Sequence, residues 1–414
     1  MKGLLEMELE ALDEGREWTR RRLQERLQEQ IDAIGAVCPQ AGIMLKNRRR
    51  RQLKLRSVSG VLELNSWYGY SLARGAWVCP CREVWGLEPY QRSTPELQSR
   101  MCFTATQANS YEGAARVADR WGCPVSDDLI REEVQRQGKE AAQAHWPPQK
   151  STHAQEEFSM VIMMDGWMAR ERGTDWGLDP KKPSTQRVAW REIKSAVIYR
   201  FEQRAETQSG RGMLCEKYIV ACAPLTEPVT FGQAVQEEAM RRGLARAKNV
   251  YVVIDGAAWL WDLTQDRFAE SIKTLDLYHA SQHLWTLGHE IYGEGTPESK
   301  KWVTQLLHQL RHGKEDRVIR RLEEILEKWE FQDPDVQETV EREVHYFVKH
   351  RDHLHYQDRA DEGAPMGSGA VESLARQLQN RFKSCGQFWN REGLTNLLAI
   401  MTTVKNNDES FFWN

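Results

Sequence analysis

The chain has 414 residues, with 57 lysines and arginines against 60 acidic residues and a formal net charge of −3. A length of this order predicts two or three domains, and the near balance of charge excludes a protein that binds nucleic acid through an overall positive charge. Eight cysteines without a paired framework favour a reducing compartment. The sequence has neither a signal peptide nor an apolar stretch of roughly 18 residues. We therefore expect a cytoplasmic protein with no membrane partner.

Three small domains are predicted in the first 150 residues. Residues 1–36 have leucines and isoleucines on one face of an amphipathic helix, which is either a dimer contact or a lid on the next domain. Residues 37–93 are rich in β-forming side chains. Residues 94–150 contain two helices with Ser110 and Ser126 as N-caps, which is similar to a helix-turn-helix. The second helix begins with Asp127 and Asp128, which would repel DNA phosphates, so a structural helix pair is the better interpretation. Residues 147–157 are predicted to be the linker to the core.

The β-rich domain has the layout of a degenerate zinc ribbon. Cys38 and the pair Cys79 and Cys81 flank the predicted strands. A structural zinc needs four ligands in a tetrahedron, but Ala41 stands at the fourth corner and no histidine occurs in the first hundred residues. We therefore predict that this domain folds without zinc.

The strongest basic cluster lies between the two cysteine knuckles. Residues 46–56, KNRRRRQLKLR, contain seven basic side chains in eleven and no acid. A run of this kind is often a solvated loop, but a contact with the phosphate backbone is at least as good an interpretation. The residues predicted to bind DNA here are Lys46, Arg48, Arg49, Arg50 and Arg51.

Two apolar runs in the second half of the chain each end on an Asp-Gly pair. Residues 158–164 and 250–254 read as buried strands, and they are followed by Asp165 and Asp255. A lone Asp-Gly pair is usually a simple turn. Its repetition favours a pair of carboxylates delivered side by side at one end of a sheet.

Further candidate ligands follow these two acids. A strand over residues 271–277 ends at Asp276, with His279 three residues later, and Glu372 lies in the first turns of a helix after Gly-Ser-Gly. Two strand-end aspartates and a helical glutamate predict a site for two hard divalent cations. For Asp276 and His279, a buried structural hydrogen bond is a nearly equal alternative.

The remaining patterns predict a mixed α/β core with a helical insertion. Strands around residues 190–199 and 218–223 form a meander with the first strand, and later strands alternate with helices, which fits a ribonuclease-H-like layout. Apolar stripes at helical spacing over residues 297–355 predict an all-helical insertion. We assign residues 151–296 to the first part of the core, 297–360 to the insertion and 361–414 to the part with Glu372.

Four segments together resemble the DDE transposases of bacterial insertion sequences: MMDGW, VVIDGAAWLW, DLYHASQHL, and GSGAVES followed by NRFKSCGQFWN. The closest likeness is to the branch related to Mutator transposases, and it covers roughly residue 158 to the C-terminus, with a looser match before it. The resemblance implies a ribonuclease-H-like core in which Asp165, Asp255 and Glu372 bind two Mg²⁺ ions, with Mn²⁺ as a possible substitute. It also implies that Asp276 and His279 form a catalytic DxxH element.

The partners follow from the same resemblance. It implies binding of double-stranded DNA, both transposon terminal inverted repeats and target DNA, by a homodimer or higher oligomer that associates with the nucleoid when it acts. After Glu372, Arg376, Arg381 and Lys383 are further candidates for DNA contact, although a helical Glu beside an Arg is often a surface ion pair. A ribonuclease-H-like nuclease without strand joining, or a domesticated transposase that only binds DNA, remain alternatives.

Overall fold

In the computed structural model the chain forms two compact units, residues 1–137 with 409–414, and residues 138–408. The structure describes residues 2–88, 90–144, 157–173, 188–206, 208, 212–328 and 333–412. The predicted linker lies almost entirely outside these ranges. Within them, no helix is both long enough and apolar enough to cross a membrane.

The first elements along the chain are a long helix, a three-stranded sheet and four shorter helices. They are α1 Leu4–Ile34, β1 Lys46–Ser57, β2 Gly60–Ser71, β3 Ala76–Val78, α2 Pro80–Val84, α3 Pro95–Gln107, α4 Tyr111–Arg120 and α5 Asp127–Ala141. The strands are antiparallel in the order β1-β2-β3. The backbone N–H groups of Glu63 and Asn65 in β2 donate to the side chains of Gln24 and Gln28, at 2.9 and 2.8 Å. Strand β3 pairs only with residues 69–71 of β2. Helix α1 therefore provides hydrogen-bond partners for the part of β2 that has no neighbouring strand on this side.

Strand β1 includes the whole basic run, so these residues do not form a loop. They are held in the strand because Leu55 pairs with Leu62, and both are buried with Ile31 of α1. The register shifts between Lys46 and Arg49. Opposite this irregularity lies Gly69, where a Cβ atom would come within 2.8 Å of the Leu45 Cβ atom. Only a glycine allows the two strands to approach this closely here.

The predicted caps of the helix pair are confirmed. The Ser110 hydroxyl accepts the N–H of Gly113 at 2.9 Å, and the Ser126 hydroxyl accepts the N–H of Leu129 at 3.2 Å. Each bond satisfies a donor in the first turn of its helix, which is why a cap can be recognised from sequence.

The three cysteines of the predicted ribbon lie in two apolar clusters. Cys38 packs with Leu45 and Val78, whereas Cys79 and Cys81 pack in the core beneath α1. The Cys79 and Cys81 sulfurs are 3.5 Å apart, and the hydrogen bond between them lowers the pKa of Cys79 below its ordinary value. Among the described residues, the three sulfurs do not all lie within 4.8 Å of one another. Folding without zinc stays a prediction.

The second half of the chain is a mixed sheet with helices. Its elements are β4 Ser159–Arg172, β5 Val188–Arg200, β6 Arg204–Glu206, β7 Gly212–Leu214, β8 Tyr218–Ala221, α6 Pro228–Arg241, β9 Asn249–Ile254, α7 Ala258–Arg267, β10 Ile272–Leu275, α8 Leu277–Tyr292, α9 Pro297–Arg311, α10 Glu315–Lys328, α11 Pro334–Lys349, α12 Tyr356–Asp361, α13 Gly369–Phe382, α14 Arg391–Lys405 and α15 Glu409–Phe412. The five-stranded sheet has the order β10-β9-β4-β5-β8. Strands β4, β5 and β8 form an antiparallel meander, and β9 and β10 run parallel to β4. This mixed α/β architecture is compatible with the expected ribonuclease-H-like core.

Strand β4 is longer than the sequence predicts. The expectation that it ends at Asp165 is wrong, because its antiparallel partner β5 pairs with it from Met160 to Arg172. The parallel partner β9 pairs only with residues 159–163. Asp165 therefore lies within a strand, just beyond the point where its parallel neighbour stops.

The helices between Asp255 and Glu372 share one apolar core with α8. The buried members of the predicted stripes lie in one cluster with Leu284 and Leu287 of α8; they are Val303, Leu306, Leu310, Ile319, Leu322, Val340, Val344 and Phe347. The expected helical segment between Asp255 and Glu372 is therefore present. Trp329, which extends one of the stripes, is outside the described residues.

Candidate active site

Asp165 and Asp255 lie level with each other on neighbouring strands. Met163 pairs with Val253 in the parallel ladder, and each aspartate lies two residues further along its chain. Because side chains alternate along a strand, both carboxylates project from one face of the sheet. The opposite face is apolar, with Met164 and Ile254 buried in the core.

Asp276 extends this row of acids to the third strand. Ile254 pairs with Leu275, so Asp255 and Asp276 follow their strands at the same level, and the Asp276 N–H donates to the Ile254 carbonyl at 2.8 Å. Sequence reasoning placed these residues at strand ends, and the register brings them to one edge.

Glu372 reaches the same region from helix α13. The helix packs on β4, where Phe382 and Trp167 have ring centroids 6.0 Å apart, and Glu372 lies in its first turn. The buried Ser368 hydroxyl is 2.7 Å from a carboxylate oxygen of Asp276 and 3.1 Å from one of Glu372. Ser368 thus connects the helix start to the edge of the sheet.

Asp276 is fully buried and its carboxylate is saturated. Its Oδ1 accepts the N–H groups of Tyr278 and Ser368, and its Oδ2 contacts the Ser368 hydroxyl and the Nδ1 of His279, the latter at 2.5 Å. A carboxylate has about four lone-pair sites, and four partners occupy them. Burial alone would raise the pKa of Asp276, but these hydrogen bonds outweigh it and hold the pKa below its ordinary value. Because its oxygens are already occupied, Asp276 is better suited to orient its neighbours than to bind a metal.

Asp165 and Asp255 retain open oxygens. The Oδ1 of Asp165 accepts the N–H of Gly166 at 2.7 Å, and the Oδ1 of Asp255 accepts the N–H of Ala257 at 2.8 Å. No donor among the described residues bonds to either Oδ2. Burial, with the negative charges of Asp255 and Glu372 adding to it, raises the pKa of Asp165 to about 6. The hydrogen bond from Gly166 and the positive charge of His279 lower this pKa, but they do not outweigh burial.

His279 is oriented by Asp276 towards the acids. The Nδ1 contact with Asp276 leaves Nε2 as the ring atom available to a ligand. That hydrogen bond is the largest cause of a raised pKa for His279, and the negative charges of Asp255 and Asp165 add to it. The predicted DxxH pair is therefore both a buried structural contact and a neighbour of the two aspartates.

The donor set fits a hard divalent cation. Among the described residues, no lysine or arginine forms an ion pair with Asp165, Asp255 or Glu372, and carboxylate oxygens are the ligands that Mg²⁺ and Mn²⁺ prefer. The tightest group that the structure forms is Asp276, His279 and Glu372, whose ligand atoms lie within 4.8 Å of one another. Asp165 and Asp255 are not in that group, so the predicted triad stays a proposal.

The candidate DNA contacts differ in their availability. Arg376 is exposed on α13, and the Lys383 ammonium is 5.5 Å from the Trp190 ring centre. Arg381 is only 3% exposed and its guanidinium lies over the Trp389 ring. This placement argues against a DNA contact by Arg381, because helical spacing turns it towards the sheet.

The basic run of β1 is divided between two faces. Arg49 lies over Trp77 and Arg51 over Tyr68, and these two rings stack on each other at 5.4 Å. Arg50 points the other way, over Trp67, and forms an ion pair with Asp32 at 2.7 Å. Because alternate residues of a strand face opposite sides, these arginines do not all share one face, and their contact with DNA stays a prediction.

Comparison with known proteins identifies no family. No family model and no curated protein matches the chain. One solved structure, a Drosophila P element transposase strand transfer complex, aligns with 79% of this chain and 95% of its own, at 9% identity and a TM-score of 0.36. A TM-score this low does not establish a shared fold. The match points to neither a bacterial insertion sequence nor a Mutator-type protein, so that part of the resemblance stays a prediction.

Sequence reasoning did not assign two features of this site. The first is Ser368, which lies in the Gly-Ser-Gly segment and hydrogen-bonds to both Asp276 and Glu372. A Cβ atom at Gly367 would be 3.3 Å from Asp276 Oδ1. The glycines therefore indicated a close approach of the backbone to another group, but the sequence did not show that this group is Asp276. Tyr346 of α11 lies against Gly256, where a Cβ atom would be 2.0 Å from the tyrosine ring. No local pattern connects residues ninety positions apart.

Proposed function

We propose that this chain is a DDE transposase of a bacterial insertion sequence, of the branch related to Mutator transposases, which cleaves DNA at transposon ends and joins them to target DNA. The level placement of Asp165 and Asp255 on parallel strands, with Glu372 entering from α13, is the observation that carries this proposal. Among the described residues, none of these three carboxylates forms an ion pair with a lysine or an arginine, and placing such groups together out of water costs free energy that a bound cation would offset.

Asp165, Asp255 and Glu372 are the residues that would hold Mg²⁺, or Mn²⁺ in its place. When bound, a pair of such ions makes a hydroxyl nucleophilic and stabilises the leaving oxygen of a phosphodiester. Asp276 orients His279 through Nδ1 and, through Ser368, orients Glu372. His279 Nε2 is then available to hydrogen-bond a phosphate oxygen at the cleavage position.

The same residues would serve two successive displacements at phosphorus. In the first, water attacks and releases a DNA 3′-hydroxyl. In the second, that hydroxyl attacks the target strand, and the bond formed replaces the target phosphodiester that breaks. Both steps would use the same carboxylates, because both develop negative charge on phosphate oxygens and the cations held by these carboxylates would stabilise it.

Double-stranded DNA, as terminal repeats and target, is the proposed partner of a homodimer or higher oligomer. The Arg49 and Arg51 face of β1, together with Arg376 and Lys383, offers the cations for its phosphates. The division of the chain into the six segments assigned from sequence, residues 1–36, 37–93, 94–150, 151–296, 297–360 and 361–414, is also part of this proposal.

Cleavage and joining can be tested with DNA that flanks the gene. The full chain would be incubated with duplexes that carry matched inverted repeats from that DNA, with Mg²⁺, with Mn²⁺ or with EDTA. We expect metal-dependent nicking at the repeat ends and joined products with a supercoiled target plasmid. Nicking without joined products would identify a nuclease, and binding without nicking would identify a domesticated DNA-binding protein.

The matched variants are Asp255→Asn and Asp262→Asn. Loss of a ligand should lower the cleavage rate by more than the roughly 10- to 100-fold that is typical for an outer partner of a metal ligand, while DNA binding stays nearly intact. Asp262, on helix α7, takes no part in the proposed site, so its variant should cut like the wild type. An Asp255→Asn protein that still nicks the repeat ends at the wild-type rate would refute the assignment.

A further inference from the structure

A cavity of about 450 Å³ lies beside the candidate active site, between the end of β9 and the helical insertion. At one end it is lined by Asp255, Gly256 and His279. The opposite wall comes from α11 of the insertion and includes Arg342, Tyr346 and Lys349. The cavity is therefore acidic where it meets the candidate site and basic where it meets α11.

The basic wall follows from the spacing of α11. Arg342, Tyr346 and Lys349 are four and three residues apart, so they share one helical face. The Arg342 side chain is 63% exposed, and Lys349 is exposed as well. No acid among the described residues pairs with Lys349, so its charge is available to an anion.

The interior of the cavity is organised by a stacked pair. The rings of His283 and Tyr346 are 3.7 Å apart and inclined by 23°. His283 Nδ1 contacts Glu343, which also accepts two hydrogen bonds from Arg342 at 2.9 and 3.1 Å. The negative charge of Glu343 is therefore compensated by neighbours and does not oppose an anion in the cavity.

Tyr346 connects this wall to the candidate site. Its ring lies against the backbone of Gly256, directly after Asp255. Its hydroxyl oxygen is buried and has no hydrogen-bond partner in the described part of the chain. A buried hydroxyl of this kind costs free energy unless a ligand satisfies it.

We propose that this cavity binds the phosphodiester backbone of the DNA strand next to the scissile phosphate, with Arg342 and Lys349 as its ionic contacts. The proposal rests on the function proposed above, because a scissile phosphate at Asp255 directs the adjoining backbone into this cavity. The insertion would thus position the substrate strand in addition to filling the gap between two parts of the core.

Salt dependence of binding tests the ionic contacts without any need for catalysis. The full-length Arg342→Ala/Lys349→Ala variant and the wild type would be titrated with a short random-sequence DNA duplex in EDTA. The slope of log K against log[salt] changes by about 0.9 for each phosphate contact. We therefore expect it to flatten by about one to two, with the full contribution from Lys349 and a smaller one from Arg342, which is already paired with Glu343. The control is Lys301→Ala/Arg320→Ala, which removes two exposed cations of the same insertion that do not line the cavity. An equal change in both variants, or none in the first, would overturn the proposal.

Lysine acylation provides a second measurement that requires no variant to fold. Lys349 should be protected from an acylating reagent by the same duplex, and Lys301 should not, as read by mass spectrometry. Failure of the two proposals can be told apart. Cleavage by a protein whose Lys349 stays unprotected refutes only the cavity assignment, whereas protection without cleavage at the repeat ends refutes only the transposase function.

Discussion

The acidic edge of the sheet and the basic strand β1 arrange their charges in opposite ways. At the edge, Asp165 and Asp255 come from distant parts of the chain to neighbouring strands, and no lysine or arginine among the described residues forms an ion pair with either of them or with Glu372 of α13. In β1 the arginines are consecutive, yet alternation sends Arg49 and Arg51 to one face and Arg50 to the other, where Asp32 pairs with it. Charged residues that are adjacent in sequence therefore need not lie on the same face, whereas strand register shows which charged side chains lie side by side.

The largest expected effect concerns the two glycines that follow the aspartates. At Gly256 a Cβ atom would be 2.0 Å from the Tyr346 ring, which is packed and cannot yield easily. Gly256→Ala should lower the free energy of unfolding by about 1–3 kcal/mol, as measured by urea denaturation.

Gly166→Ala is the matched control. Its Cβ atom would meet the carboxylate end of Glu192 at 2.2 Å, and this flexible, partly exposed side chain can move. Its cost should be below about 1 kcal/mol. If Gly256→Ala is no more harmful than Gly166→Ala, or if adding Tyr346→Ala does not relieve it, the close packing of α11 on the edge is wrong.

The next prediction tests whether burial of the ionised Asp165 carboxylate destabilises the folded protein. Burial raises the pKa of Asp165 to about 6, above its unfolded value of roughly 3.9. The folded state then binds more protons than the unfolded state, and stability is lost as the pH rises from about 4 to 6. In EDTA at pH 7, Asp165→Asn should therefore stabilise the protein.

The expected gain is about 1–2 kcal/mol, since one pKa unit corresponds to about 1.4 kcal/mol and residual solvent screens part of it. The gain should vanish near pH 4, where the wild-type carboxyl is protonated. Asp276→Asn should have the opposite sign at pH 7, because the pKa of Asp276 is lowered by its hydrogen bonds. A destabilised Asp165→Asn protein at pH 7 would show that the favourable contacts of this carboxylate outweigh the cost of burying it.

The smallest effect distinguishes the two faces of β1. Arg49→Gln/Arg51→Gln should flatten the salt dependence of DNA binding by about two, at 0.9 for each phosphate. Arg48→Gln/Arg50→Gln should change it less, because Arg50 is already paired with Asp32. Fluorescence titration of a labelled duplex at several salt concentrations measures both. Equal slopes in the two variants would mean that β1 does not bind DNA through one face.

Local patterns predicted most elements of the fold and failed where a partner strand decided the outcome. The N-caps at Ser110 and Ser126 and the stripes of α9 to α11 were recognisable because hydrogen bonds and apolar faces repeat within one helix. The end of β4 was misplaced, since Gly166 is a turn signal in isolation and β5 pairs with the strand beyond it. The basic run was recognisable as a cluster of charge, but only its pairing with β2 decided which side chains share a face.

What the sequence by itself determined is which residue types stand at the ends of buried segments: aspartates after two apolar runs, and a glutamate at the start of a helix. Apolar runs and helix starts are encoded over a few neighbouring residues, so they can be recognised without a fold. Only the tertiary structure decided which carboxylates keep an oxygen without a hydrogen-bond donor. Four hydrogen-bonding contacts from His279, Ser368 and Tyr278 fill Asp276, whereas Asp165 and Asp255 each keep a free oxygen among the described residues. The two contacts from Ser368 join segments about ninety residues apart, and only the packing of α13 against the sheet brings them together.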